Sequence, residues 1–200
     1  LRACYKYMIS RGFSHKDLWY FKVGAVTSGR FRRRIIVPYF DLEGSLNYFT
    51  ARAIDEDAGR KYTNPRVKRS EIIFNEINVD WSSELTIVEG PFDLMKANQN
   101  VTCLLGSSLS ERHFLFQRIV GNKTPVLLAL DPDAKKKTQD IAKLLSSFDI
   151  EVRIADVRPF QDVGEMPIGE FNNYHRKAQP WTEMDRLRSM IRSIKSGSLI

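Results

Sequence analysis

The sequence predicts a mixed α/β and α+β chain in three parts: an N-terminal basic α+β subdomain over residues 1–79, a central parallel-sheet subdomain over 80–165 and a short C-terminal helical segment over 166–200. Three observations carry this reading. From Lys22 to Asn78, β-branched and aromatic runs are broken by turn residues, which is the texture of antiparallel hairpins. After Asp80, short apolar runs alternate with helical patterns, as in βαβ units that build a parallel sheet with helices on both faces. Charge divides in a similar way: 15 Lys and Arg stand against 8 Asp and Glu over residues 1–79, 10 against 14 over 80–170, and 6 against 2 over 171–200.

Residues 2–11 read as a helix stopped by Gly12, and Ser14 with Asp17 reads as a capping box opening a second short helix through Phe21. Strands follow over Arg32–Phe40 and Ser45–Ile54, joined by the turn Asp41–Gly44. A turn at 55–59 leads to the polar segment Arg60–Arg69 and the apolar stretch Glu71–Ile77. The alternating part then places strands at Leu85–Val88, Val101–Leu105, Val126–Leu130 and Val152–Ala155. Helices fall at Pro91–Asn98, Ser110–Val120 and Ala134–Phe148. Pro91 suits a first helical position and Ser110 a cap. Past Pro167 the pattern is helical again, and in the last segment Met184, Leu187, Met190, Ile191 and Ile194 form an apolar stripe that is expected to pack into the core.

Composition narrows the function class. With 42% hydrophobic and 28% charged residues the chain is neither disordered nor fibrous. Its longest apolar runs, Ile35–Val37 and Val126–Leu130, fall far short of the roughly 20 residues that span a bilayer. No membrane partner is expected. No secretory signal is visible, and the opening at Leu1 rather than a methionine points to an excised fragment. Cys4 and Cys103 match no paired metal spacing, and His15, His113 and His175 are isolated, so no zinc site is expected within the chain. A reducing, cytoplasmic compartment follows. A basic part beside an acidic part suits a polyanion held next to carboxylate-bound metal, which makes nucleic acid a candidate partner.

The acidic residues fall where an open parallel sheet collects its functional groups, beyond the carboxyl ends of the strands. Glu89 follows Leu85–Val88, Gly90 permits a tight exit, and Asp93 lies in the first turn of the next helix. Asp131 and Asp133 follow Val126–Leu130, and their spacing of two aims both carboxylates the same way if the extended backbone continues through Pro132. Four carboxylates at neighbouring strand ends would repel one another without a cation. Hard oxygen ligands suit Mg²⁺ or Mn²⁺, which also accept phosphate oxygens from a substrate. Phosphoryl transfer is the chemistry such a site serves.

The Glu-Gly-x-x-Asp element from Glu89 to Asp93, with Asp-Pro-Asp at Asp131–Asp133, resembles the TOPRIM domain of primases, topoisomerases and certain nucleases. The preceding runs Tyr7–Phe13, Phe21–Gly24, Arg34–Pro38, Thr50–Arg52 and Lys61–Asn64 resemble, in order, the N-terminal part of a DnaG-type primase RNA polymerase core. The resemblance covers residues 3–165 and includes Leu104–Ser107. It implies acid–base work for Glu89, with Asp131 at the catalytic centre, and metal binding by Glu89, Asp93, Asp131, Asp133 and Asp162. It also implies phosphate, nucleotide or template contacts for Arg34, Arg52, Lys61 and Asn64, with Lys68 or Arg69 as a further cation. Tyr39, Tyr48, Phe49 and Tyr62 are read as core or stacking aromatics without an assigned role.

Two departures from the family pattern stand out. Where a second aspartate often follows Asp162, this chain has Gly164, with Glu165 as a candidate substitute, and no counterpart of the family's amino-terminal zinc-binding module is expected within residues 1–200. The expected function is synthesis of short RNA primers on a single-stranded DNA template from nucleoside triphosphates, with Mg²⁺ or Mn²⁺. A replicative helicase and a separate zinc-binding module are expected partners, and a bacterial or phage-infected cell is the expected setting. The alternatives are a TOPRIM nuclease and a degenerate module that binds single strands or a helicase without synthesis.

Overall fold

The computed structural model describes residues 1–97, 100–106, 108–182, 184–185, 187–188 and 191. Helix α1, Arg2–Ser10, buries Cys4 and Met8 and ends before Gly12, whose φ of +82° only glycine adopts without strain. Ser14 and Asp17 form the expected capping box at the start of α2, His15–Tyr20. Strands β1, Arg34–Phe40, and β2, Leu46–Ala53, pair antiparallel with Val37 opposite Thr50, and the Asp41 carboxylate closes their turn by accepting from the Ser45 amide at 2.8 Å. Alternation along β1 turns Ile35, Val37 and Tyr39 inward.

Among the described residues this is the one regular hairpin. The polar segment after it folds back along β2 instead of forming a second, since the Ala53 amide donates to the Lys61 carbonyl and the Thr63 amide to the Ala51 carbonyl. This return is what brings Lys61, Tyr62 and Asn64 beside Arg52.

The second sheet has the order β4–β3–β5–β6–β7, with β3 at Leu85–Val88, β4 at Val101–Cys103, β5 at Val126–Leu128, β6 at Val152–Ile154 and β7 at Gln179–Pro180. The first four strands are parallel, and β7 adds an antiparallel edge that the sequence did not reveal. A two-residue strand containing proline carries no pattern of its own. Arg153 of β6 seats this edge by reaching Glu84 at 3.1 Å and the carbonyls of His175 and Ala178 at 2.8 and 3.2 Å.

Period-two alternation assigns the two faces of the sheet. Val88, Val101, Cys103, Leu127 and Ala129 pack with α3, Pro91–Ala97, with α6, Phe171–Lys177, and with the N-terminal half. Leu85, Ile87, Val126, Leu128 and Val152 pack with α4, Phe114–Asn122, and α5, Lys135–Ser146. Tyr39 and Tyr48 meet Phe74 in the first of these cores, so both are packing residues.

Three local expectations are corrected. Helix α4 starts at Phe114 because the Ser110 hydroxyl and amide turn onto the His113 ring, at 2.8 and 3.1 Å, instead of capping a helix. The chain does not stay extended through Pro132: residues Pro132–Ala134 form a 3₁₀ turn leading into α5. Met184, Leu187 and Ile191 of the C-terminal stripe are exposed and not in the core; Met190 and Ile194, like Asn98 and Ser107, lie outside the described residues. Cys4 and Cys103 are buried and unpaired. Among the described residues no helix is long and apolar enough to cross a membrane.

Candidate active site

The chain passes from β3 to β4 on one side and then to β5 on the other, so the crevice beyond the ends of β3 and β5 is a topological switch point. Glu89 leaves β3 there and Asp131 stands three residues past β5, its ψ of 144° extended as a residue before proline must be. Asp93 reaches the same place from the first turn of α3, and Asp162 from the loop after β6. A cavity of about 380 Å³ collects all four with Arg52, Lys61 and Asn64. It is also lined by Arg11, Tyr62, Phe92, Arg69 and the Gly90 turn.

The cationic wall is held by specific contacts. Arg52 lies over the Phe92 ring at 4.5 Å, is flanked by Tyr7 and Tyr62, and donates to the Tyr62 hydroxyl at 3.1 Å. Its position is fixed by aromatic faces rather than by a carboxylate, which leaves its charge available to a ligand. The Asn64 side-chain oxygen accepts from the Ala51 amide at 3.3 Å. Arg34 does not line the cavity; it donates to the carbonyls of Arg60, Ala51 and Lys61 at 3.0, 3.3 and 3.4 Å, and so anchors the segment that presents Lys61. Lys68 faces outward and pairs with Glu71, whereas Arg69 lines the cavity and donates to the Leu105 carbonyl at 2.9 Å.

The acidic wall is under electrostatic stress. Asp93 is buried, and each carboxylate oxygen accepts a backbone N–H, from Gly90 at 2.8 Å and Gly164 at 2.9 Å. Burial, then repulsion by Asp162 and Asp131, pushes its pKa up to about 7 despite those two amides. Burial, then Glu89, Asp162 and Asp133, likewise pushes Asp131 up to about 7, opposed by Lys137. One oxygen of Asp162, Oδ1, is buried without a hydrogen-bond partner. Lys137 of α5 reaches Glu89 Oε2 at 3.1 Å.

Asp133 does not share this wall. The 3₁₀ turn at Pro132 swings it to an exposed position outside the cavity lining, so the two carboxylates of Asp-Pro-Asp do not point the same way. Glu165 is exposed as well, and its carboxylate accepts from the Gln161 amide at 3.4 Å instead of replacing a cavity aspartate. Among the described residues, no group of three or more His, Cys, Asp or Glu side chains is arranged so that it could hold a metal ion unaided. The donors present are nonetheless hard oxygens, crowded enough to repel, with one buried oxygen unsatisfied. That chemistry suits a cation whose remaining ligands are waters and substrate phosphates, as Mg²⁺ prefers.

Gly164 has a geometric reason. A Cβ there would stand 2.9 Å from Asp93 Oδ1 and 3.2 Å from Asp162 Oδ1, while the Gly164 carbonyl accepts from Arg11 at 3.2 Å. Gly164→Ala is therefore expected to cost about 1–3 kcal/mol, the usual penalty of overpacking, as measured by denaturant unfolding. Arg11 and Lys137 were not singled out from sequence. Arg11 does lie within the run Tyr7–Phe13, and Lys137 belongs to a lysine triplet at a helix start, where the dipole disfavours cations.

No protein-family model matches the chain. It is 33% identical over 138 residues to the DNA primase of Mycoplasma pneumoniae, a match that takes in 63% of this chain and 22% of that protein. The chain thus spans about a fifth of the length of that relative. In fold it is similar to the zinc-binding and RNA polymerase domains of the Aquifex aeolicus primase, with a TM-score of 0.74 and 21% identity over 90% of this chain and 56% of that one. It is similar also to a DnaG primase catalytic domain solved with ssDNA, with a TM-score of 0.74 and 18% identity over 89% and 72% of the two chains. The chain is thus similar in sequence to part of bacterial DNA primases and similar in fold to DnaG primase catalytic domains.

Proposed function

We propose that this chain is the catalytic core of a DNA primase, joining ribonucleotides into short primers on a single-stranded DNA template. The observation that carries the reading is the shared cavity, whose lining brings Glu89, Asp131 and Asp162 together with Arg52, Lys61 and Arg69. Carboxylates and cations lining one cavity suit a triphosphate whose charge must be neutralised while a hydroxyl attacks its α-phosphate. The solved relative that carries ssDNA supports a single-stranded template.

In this reading Asp131 and Asp162 would hold Mg²⁺ or Mn²⁺, with Glu89 as the neighbouring carboxylate. When bound, the ion lowers the pKa of the attacking 3′-hydroxyl and neutralises charge on the phosphates. Asp93 positions: its bonds to the Gly90 and Gly164 amides tie the β3–α3 turn to the loop that carries Asp162. Arg52, Lys61 and Arg69 hold phosphates, Asn64 orients sugar or base, and Glu89 takes or returns the proton. Arg34 serves by fixing the Lys61 segment, and Lys68 and Asp133 act from outside as charges. Start-site recognition would need a zinc-binding module outside residues 1–200, and a replicative helicase is the natural partner of such a core.

The test is an assay with template, a dinucleotide primer, Mg²⁺ or Mn²⁺ and labelled nucleoside triphosphates. Extended oligoribonucleotides are the expected product. Shortened template would instead mean a nuclease, and a gel shift that weakens with salt but yields neither product would mean a binding module.

A further inference from the structure

Lys137 sits where neither helix stability nor surface solvation accounts for it. It lies in the first turn of α5, where the helix dipole opposes a positive charge, and its side chain is only 21% exposed. Its ammonium instead crosses to β3 and meets Glu89 Oε2 at 3.1 Å, with Glu89 itself 20% exposed. Among the described residues Lys137 is the only group that hydrogen-bonds to the Glu89 carboxylate. Its neighbours Lys135 and Lys136 are exposed, so the inward turn belongs to this one lysine of the triplet. Asp131 also feels its charge.

We infer that Lys137 is a resident counter-ion of the acidic wall, a positioning residue that holds Glu89 in place until a divalent cation enters and competes for the same carboxylate. The inference deepens the primase reading, because it concerns the same site. A half-buried carboxylate crowded by Asp131 and Asp162 gains from a positive partner at hydrogen-bond distance, and an ammonium within the fold supplies it without an external ion. The cost appears on loading. The entering cation meets a fixed like charge a few ångströms away, and Glu89 must exchange one positive partner for another. Lys137 therefore weakens cation binding while keeping the empty site folded.

The experiment reads cation binding, not synthesis. Wild type, Lys137→Met and Lys137→Arg are titrated with Mg²⁺ alone, without template or nucleotide, and the midpoint of the rise in melting temperature is recorded. The expected result for Lys137→Met is a lower melting temperature in chelator and a Mg²⁺ midpoint lower by the order of tenfold, the scale of removing one like charge at short range. Lys137→Arg, which keeps the charge, is expected to stay near the wild-type midpoint. A Lys137→Met chain that folds only when Mg²⁺ is added also supports the inference, since the ion then replaces the missing ammonium. In a Glu89→Gln background the shift on adding Lys137→Met is expected to shrink, because the competition for Glu89 is gone and only the like-charge repulsion remains. An unchanged or raised midpoint for Lys137→Met overturns the inference, as does a shift in Glu89→Gln as large as that in the wild-type background. Primer extension by the wild-type chain tests the primase reading separately, so either idea can fail while the other stands.

Discussion

Asp131→Asn is expected to lower primer extension by about 10²–10³-fold, the loss typical of removing one group that stabilises charge in a transition state, while raising the melting temperature above neutral pH. Both effects come from one cause. Asp131 stands at the switch point between β3 and β5, where burial and the charges of Glu89, Asp162 and Asp133 push its pKa to about 7. Above that pH the folded chain carries an ionised carboxylate that its surroundings disfavour. Asn has nearly the same shape and no charge, so the fold gains what the chemistry loses. A stability–activity trade-off of this kind marks a site strained for function. The comparison is Asp133→Asn, which removes an exposed charge outside the cavity and is expected to cost less than about tenfold. Single-turnover extension from a dinucleotide primer and thermal melts of the same samples give both readouts. Retention of near wild-type extension by Asp131→Asn would remove Asp131 from the catalytic centre.

How much of this site was legible follows from how local each signal is. Glu89 and Asp131 could be placed from sequence because Leu85–Val88 and Val126–Leu130 are short apolar runs within a strand–helix alternation, and in such a sheet the strand ends converge. Arg52, Lys61 and Asn64 came from the ordered resemblance, and the fold-back of residues 60–64 along β2 supplies the physical reason they stand together. Asp133 was misplaced because proline restrains the residue before it to extended backbone but leaves the residue after it free to turn. The extended ψ of Asp131 obeys that restraint, and the 3₁₀ turn at Pro132–Ala134 then uses the freedom. Lys68 and Arg69 are adjacent cations on one 3₁₀ turn, and only the packing against Leu105 decides which one faces the cavity. Contacts made across long sequence separations left no local trace: Arg34 with the Arg60 carbonyl, Asp93 with the Gly164 amide, Lys137 with Glu89. In sequence, Gly164 looked like the loss of an acidic residue. In the fold it is a position with no room for a side chain, whose amide binds an acid already present.

Stability of the metal-free chain is expected to fall as pH rises from about 4 to about 8, with most of the fall recovered by Mg²⁺. The sign follows from Asp93. In the unfolded chain it loses its proton near the ordinary aspartate value of 3.8, whereas in the folded chain burial and the neighbouring aspartates hold the proton to about 7. Below the lower value both states are protonated and the group contributes nothing to the difference. Between the two values the folded state binds more protons than the unfolded one, so each rise in pH favours unfolding, and above the upper value the loss is complete. For a shift of about three pK units in so buried a group the loss is roughly 4 kcal/mol at most. Asp131 adds to it in the same direction and over the same window. A cation shared by Asp131 and Asp162 acts oppositely, because it binds the ionised folded form and offsets the repulsion that, after burial, raised both values. Denaturant unfolding in chelator and in Mg²⁺, at about pH 5 and about pH 8, should therefore show little effect of the ion in acid and a large stabilisation in base. Equal stabilisation at the two pH values would mean that the ion binds away from these carboxylates, and stability that rises with pH in chelator would mean that the acidic wall is not under the stress its geometry implies.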